Sequence, residues 1–372
     1  MPTTFPNNQA GALGHEQLPE PRKITEHHWP EGTVPLAGIC CITYNHEKFI
    51  AQCIEGFLMQ ETTFPVEIII HDDASTDGTV EIIRAYQTKY PRLIRSILQK
   101  ENQNSKGKLV FPISFEACRA EYVAMCEGDD YWTDPQKLAK QAAFLDTQPE
   151  CVSCFHNAIM FSDDQSNASP DSSLNKRGNR LMCRPGMKTR FSQKDFFKGN
   201  VIPTCSVMFR REAVGNLPPW FKKLSIGDLP LHILCTEHGM AGYLQDVMAA
   251  YRLHPGGFWS SKSSWDKIPH EIKMFEELER YLQSRPQRAA IQASRRQAVL
   301  AISRSRSKLE LARARQWLDS SPEKVPDAIW HAWRLYPRRP KWLLRWLLSV
   351  WPRVLGGKYT SAYVHGKLRK KF

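Results

Sequence analysis

Two pairs of adjacent carboxylates stand where chemistry could be done: Asp72-Asp73 in EIIIHDDAST and Asp129-Asp130 in YVAMCEGDDYW. Hard divalent cations such as Mg2+ and Mn2+ take carboxylate oxygen and water, and one or two protein carboxylates plus a substrate phosphate suffice to hold them. Vicinal aspartates can then divide the work, one on the cation and the other on a substrate hydroxyl. An ion so placed neutralises charge on a departing phosphate. Either pair alone reads equally well as a polar turn at a strand end, and Asp77-Gly78 supports a turn for the first. Asp228, in IGDLPL, reads by itself as the cap of the helix it opens, with Pro230 in the first turn. His254, in YRLHPGG, is by itself a loop histidine. Cys151 and Cys154 form a lone C-x-x-C without two further ligands at zinc spacing, so both are assigned to a strand. Trp132 and Trp259 either line a sugar site or pack.

The elements that must position these groups follow from periodicity. PLAGICCIT, VEIII, LIRSILQ and EYVAMC are short, continuously apolar strands. Between them lie helices: one with Phe49, Ile50, Cys53, Ile54, Phe57 and Leu58 on a single face, and one with Val80, Ile83 and Tyr86 in register. A third helix opens at DPQKLAKQAAFL, with Asp134 as N-cap and Pro135 at its first position. Continuous rather than alternating apolar strands, each followed by a helix, predict an α/β fold: a Rossmann-like, mostly parallel sheet flanked by helices. Ligands of such sheets bind at the carboxyl ends of the strands. Three polar clusters sit there: TYN (Thr43 to Asn45), HDDAST and EGDD. Ser162 to Lys198 is poor in apolar residues and reads as a long mobile loop.

The chain has 372 residues and a net charge of +13, unevenly spread. Residues 267–372 carry 24 Lys and Arg against 8 Asp and Glu, whereas residues 1–266 carry 27 against 30. This asymmetry divides the chain into a flexible tail over 1–34, an α/β domain over 35–265 and a basic, all-helical extension over 266–372. In the extension, QRAAIQASRRQAVLAISRSRSKLELARARQWL is a long helix with Ile291, Ala298, Ile302 and Leu309 on one side, and ARARQWL with AIWHAWRLYP makes no convincing internal repeat. In KWLLRWLLSVWPR, the basic residues Lys341, Arg345 and Arg353 line a narrow stripe and Trp342, Trp346 and Trp351 lie outside it. Such a helix either lies on an anionic membrane surface or packs on the domain; its long apolar stretches suit lipid or core better than nucleic acid. The N-terminus has no apolar region of signal-peptide type, and no apolar run reaches the roughly 18 residues of a spanning helix. A cytoplasmic protein, peripheral at the inner face of the membrane, is expected.

Six motifs occur in order over Pro35 to Ser260: PLAGICCITYNHEKFI, EIIIHDDASTDGT, YVAMCEGDDYWTDPQKLAKQ, GNVIPTCSVMFRR, IGDLPLHILCTEHG and VMAAYRLHPGGFWS. Together they resemble family 2 inverting glycosyltransferases of the GT-A fold, of the bacterial kind that builds surface polysaccharides. The resemblance implies a nucleotide-sugar donor, a glycan or lipid-linked acceptor, and Mn2+ or Mg2+ as cofactor. It implies that Thr43, Tyr44 and Asn45 line the nucleotide pocket and that Asp73 reads the edge of a uracil, hence UDP. It implies that Asp129 faces the ribose and sugar, that Asp130 and His254 serve the metal and diphosphate, and that Asp228 deprotonates the acceptor. Two other readings compete: a metal-dependent nucleotidyltransferase or phosphohydrolase, and a non-catalytic nucleotide-sugar-binding protein.

Overall fold

In a computed structural model of the chain, residues 20–162, 179–257, 263, 266–286, 288–321 and 324–337 are described. In chain order the first elements are β1 (Arg22–Lys23), β2 (Ala37–Thr43), α1 (Ile50–Leu58), β3 (Glu61–Thr62), β4 (Val66–Asp72), α2 (Thr79–Lys89), β5 (Ile94–Leu98) and α3 (Phe111–Ala117). There follow β6 (Tyr122–Glu127), β7 (Tyr131–Trp132), α4 (Lys137–Thr147), β8 (Cys151–Ser162), β9 (Arg180–Leu181), β10 (Arg190–Phe191), α5 (Gln193–Phe196) and β11 (Met208–Arg210). The last are α6 (Arg211–Val214), α7 (Asp228–Cys235), β12 (Met240–Leu253), α8 (Ile268–Ser284), α9 (Ala289–Ser320) and α10 (Val325–Leu335).

The main sheet runs β10-β12-β8-β11-β6-β2-β4-β5. Its β6-β2-β4-β5 half is parallel, as the continuous apolar strands predict, and β11 enters antiparallel between β6 and β8. Alternate residues of one strand point to opposite faces. Ile39 and Cys41 belong to one core with α1 and α4, while Cys40 belongs to another with α3 and α7. Both faces are therefore covered by helices, and the expected α/β class is borne out.

The second core also takes in Met274, Phe275, Leu278 and Leu282 of α8 and Ile291, Ala298 and Ala301 of α9. The C-terminal helices are thus packed into the same core as the sheet, with Phe275 stacked on Phe197 at 6.2 Å. Farther along, α9 packs Leu311 and Ala314 against Val325, Ala328, Ile329 and Ala332 of α10. Because it is covered on different sides at its two ends, α9 has no single apolar stripe. Among the described residues no helix is long and apolar enough to cross a membrane.

Several expectations need correction. The tail is bound from Arg22 onward: β1 pairs with β3, Ile24 is buried, and its N–H donates to the Gln60 carbonyl at 2.8 Å. The stretch read as a mobile loop contains β9, β10 and α5 in its described part, with Cys183, Phe191, Phe196 and Phe197 in the core. Among the described residues, Cys183 and three phenylalanines face inward, and those few are enough. α4 starts two residues later than expected, at Lys137, because the Asp134 carboxylate accepts from the Gln136 N–H at 2.8 Å and holds a turn ahead of the helix. Trp259 and the KWLLRWLLSVWPR stretch lie outside the described residues.

Candidate active site

Register sets the site. Thr43 at the end of β2 pairs with Asp72 of β4, and Ile42 with Glu127 of β6. Three polar strand ends therefore meet at one edge. The turns leaving β2 and β4 are stitched together: Asn45, at φ 54°, accepts from the Thr76 N–H at 2.8 Å and donates its own N–H to Ser75 Oγ at 2.8 Å. The His46 N–H donates to Thr79 Oγ1 at 2.9 Å. The Asn45 side chain is thus engaged in holding the two turns, whereas Tyr44 is exposed. Buried Asp73 accepts from the N–H groups of Gln103 at 2.7 Å and Asn104 at 3.0 Å, pinning the loop after β5. Each carboxylate oxygen keeps a second lone pair for a ligand.

The turn after β6 folds back over β2, with Gly128 N–H donating to the Ile42 carbonyl at 2.9 Å. A Cβ on Gly128 would lie 2.5 Å from Thr43 Oγ1 and 3.1 Å from His46 Nδ1, so only glycine fits. The two aspartates that follow point different ways. Asp130 is fully buried, its Oδ1 accepting the Arg252 N–H at 2.9 Å. Asp129 faces the crevice: its Oδ2 lies 3.0 Å from His254 Nε2 and 3.8 Å from His46 Nε2, and its buried Oδ1 has no hydrogen-bond partner.

Electrostatics separate the carboxylates further. Burial pushes Asp130 well above the usual carboxylate range, and the charges of Asp129 and Glu127 add to it. Burial also raises Glu127, to about 8, reinforced by Asp129 and Asp228. At Asp129 burial acts in the same direction, but the hydrogen bond from His254 and the fields of His46 and His254 outweigh it and hold this carboxyl low. One charged carboxylate beside two that burial and mutual repulsion discharge, with unpartnered buried oxygens on both Asp129 and Asp130, is the arrangement a divalent cation relieves. Two groupings able to hold an ion occur among the described residues, His46 with Asp129 and His254, and Glu127 with Asp129 and Asp130. The donor set therefore fits a cation. The motifs gave the ion to Asp130; in the structure the carboxylate touching His254 is that of Asp129.

Arg252 ties this arrangement together. Its Nε donates to the Asp129 carbonyl at 2.9 Å and an Nη to Gln52 Oε1 at 2.7 Å, while its guanidinium lies over Phe49 and Phe161 at 4.6 and 4.7 Å. Sequence reasoning missed Arg252 and His46, although both lie inside motifs it quoted. An arginine in an otherwise apolar strand two residues before His254 was the available signal. Trp132 turns out to pack: it is buried against Phe57, donates Nε1–H to the Cys205 carbonyl at 2.9 Å, and is covered by Lys137 Nζ at 3.8 Å. All ten cysteines are free and buried, with Cys151 and Cys154 on β8 as expected.

Asp228 is the first residue of α7, and Asn200 Nδ2–H donates to its Oδ2 at 2.5 Å. Burial raises its carboxyl above the usual range, against the stabilising N–H of Leu229 and the amide of Asn200. Its charge acts on Glu127 at the end of β6. Three residues earlier, Ser225 Oγ hydrogen-bonds His270 Nδ1 of α8 at 2.6 Å.

The sequence profile of the Glycosyl transferase family 2 domain matches residues 39–217. An uncharacterised protein of Mycobacterium tuberculosis is 38% identical over 227 residues, covering 60% of each chain. This chain therefore spans about 60% of the length of the mycobacterial relatives it matches. A Bacillus subtilis protein named as a glycosyltransferase, EpsE, is 36% identical over 225 residues, covering 59% of this chain and 73% of that protein. The crystal structure of Staphylococcus aureus TarS residues 1–349 with UDP-GlcNAc aligns over 90% of this chain and 92% of that chain, with 16% identity and a TM-score of 0.57. At that identity the likeness is one of fold, and the fold is the GT-A arrangement the ordered motifs imply.

Proposed function

The chain belongs to glycosyl transferase family 2, and from that membership we propose that it moves a sugar from a nucleotide-sugar to a hydroxyl of a glycan or lipid-linked acceptor in surface-polysaccharide synthesis, with inversion. One observation carries the proposal. Asp129, with an unpartnered oxygen, lies at the carboxyl edge of the sheet beside His254, and Asp228 is near enough for its charge to act on Glu127 of the same strand end. UDP as the carrier is supported by the position of Asp73 beside the TYN turn and by the UDP-GlcNAc bound in the TarS structure of the same fold.

The acceptor hydroxyl attacks the anomeric carbon from the face opposite the diphosphate, through a transition state of oxocarbenium character. Its proton passes to the Asp228 carboxylate. The bond from the anomeric carbon to the diphosphate oxygen breaks, and the nucleoside diphosphate leaves with the electron pair. A single displacement gives inversion and needs no covalent enzyme nucleophile. Asp129 and His254 would hold a divalent cation, Mg2+ or Mn2+, which neutralises charge on the leaving diphosphate. Thr43, Tyr44, Asn45 and Asp73 bound the nucleotide side, and Arg252 keeps the Asp129–Asp130 turn in place beneath it.

The test is a screen of UDP-, dTDP- and GDP-sugars with Mg2+ or Mn2+, with and without an acceptor glycan, reading released nucleotide. Acceptor-dependent release of UDP is expected. Equal turnover without acceptor would favour a phosphohydrolase, and binding without turnover a nucleotide-sugar receptor. A lipid-linked acceptor also places the enzyme at the cytoplasmic face of the membrane. Full-length protein and a truncation before Pro322 that partition identically with anionic liposomes would remove the C-terminal segment from that role.

A further inference from the structure

We propose that His46 is a third protein ligand of the divalent cation, beside Asp129 and His254, and that this second imidazole makes the site prefer Mn2+ over Mg2+. The inference rests on reading the crevice as a cation-assisted donor site. It goes beyond that reading in naming a ligand on the β2–α1 turn, on the nucleotide side of the site.

His46 Nδ1 lies 3.1 Å from Thr43 Oγ1, which fixes the ring and turns Nε2 toward Asp129. Metal-bound histidines engage their other ring nitrogen in just this way, and the partner sets the orientation. His46 Nε2 is 3.8 Å from Asp129 Oδ2, too far for a hydrogen bond, while His254 Nε2 is 3.0 Å from the same oxygen. Ligand atoms about 2.1 Å from a common ion are separated by about 3 Å when adjacent and about 4 Å when opposite. Both distances fall in that span. The two imidazoles stand edge to face, 5.9 Å between centroids, so they converge on Asp129 without stacking. Asp129 Oδ1 and Asp130 Oδ2, both buried and without a hydrogen-bond partner, are the independent sign that a ligand belongs at this turn. Gly128 is what lets the Thr43–His46 pair approach the turn, since a Cβ would meet both residues.

The chemical consequence follows from donor type. Mg2+ takes oxygen and dehydrates reluctantly, whereas Mn2+, a larger first-row transition ion at the weak-binding end of its series, accepts imidazole nitrogen beside carboxylate oxygen more readily than Mg2+ does. One carboxylate and two imidazoles therefore discriminate against Mg2+ in a way that a carboxylate with one imidazole does not.

Electron spin-echo spectroscopy of Mn2+ on the full chain with UDP present counts the coordinated imidazole nitrogens, and calorimetry gives Mn2+ and Mg2+ affinities for wild type and His46→Gln. Two nitrogens are expected in the wild type and one in the variant, with Mn2+ binding weakened roughly tenfold or more and Mg2+ binding changed much less. A wild-type spectrum with one nitrogen overturns the inference without touching the donor-site reading, and needs no variant to fold. Equal losses for both ions in His46→Gln also overturn it. A wild type that binds no cation with UDP present overturns both.

Discussion

As the proposed base, Asp228 would set the pH at which transfer can occur. Its carboxyl is raised by burial, and only the charged form can take the acceptor proton, so activity falls as the pH drops through that raised pKa. The Asn200 amide stabilises the charged form from 2.5 Å. Asn200→Ala should therefore raise the pKa further and move the acid limb of kcat against pH to higher pH; an unmoved limb would mean that the base lies elsewhere. Stability runs the opposite way. A carboxyl raised in the folded state contributes stability at low pH that is lost as pH rises through the folded pKa. Asp228→Asn should keep donor binding within a few-fold and lower transfer by about 10^2- to 10^4-fold, separating catalysis from binding in one calorimetric and one kinetic measurement. Asp228 was legible in the sequence through its motif. Its tuning was not, because that depends on Asn200, 28 residues away, and on the crevice wall.

The turn that follows β6 has work to do that no isolated sequence motif reveals. Gly128 lets it lie on β2, and β12 braces it with Arg252, which holds both the Asp129 carbonyl and the Asp130 carboxylate. Gly128→Ala should push Thr43 and His46 away from Asp129. We expect cation affinity, measured by calorimetry with UDP, to fall at least tenfold, the scale of losing orienting contacts around a ligand, while far-UV circular dichroism stays unchanged. Wild-type affinity in this variant would mean the turn is looser than its contacts imply. β2, β4, β5 and β6, with α1 and α2, were readable from their apolar pattern because their apolar residues are local. β9, β10 and α5 were not, because each is shorter than the window in which a period can be seen, and long-range pairing holds them.

The whole chain uses its basic C-terminal third partly as a clamp. Arg295 pairs with Glu279 and Arg306 with Glu276, both at 2.6 Å, so part of the positive surplus is spent holding α9 to α8. Partly exposed pairs of this kind contribute little individually. The larger contribution is burial of Met274, Phe275, Leu278 and Leu282 in the core beneath the sheet. Phe275→Ala should cost about 3–5 kcal/mol in urea unfolding. It should also lower the single transition of the whole molecule rather than split it, if α8 folds with the catalytic domain. Two separated transitions would show that the C-terminal helices form an independent unit. The Ser225–His270 contact links those helices to the loop that ends at Asp228.

The sequence by itself determined the α/β alternation, the parallel half of the sheet, the carboxyl edge as the ligand edge and the family, because each depends on local apolar period or on the order of short motifs. Only the tertiary structure decided what each carboxylate of the two pairs meets. Adjacent residues at a turn point in opposite directions, and what waits there is set by the folded chain: the Arg252 N–H meets Asp130 Oδ1, His46 and His254 face Asp129, Ser75 donates to Asp72, and the N–H groups of Gln103 and Asn104 donate to Asp73.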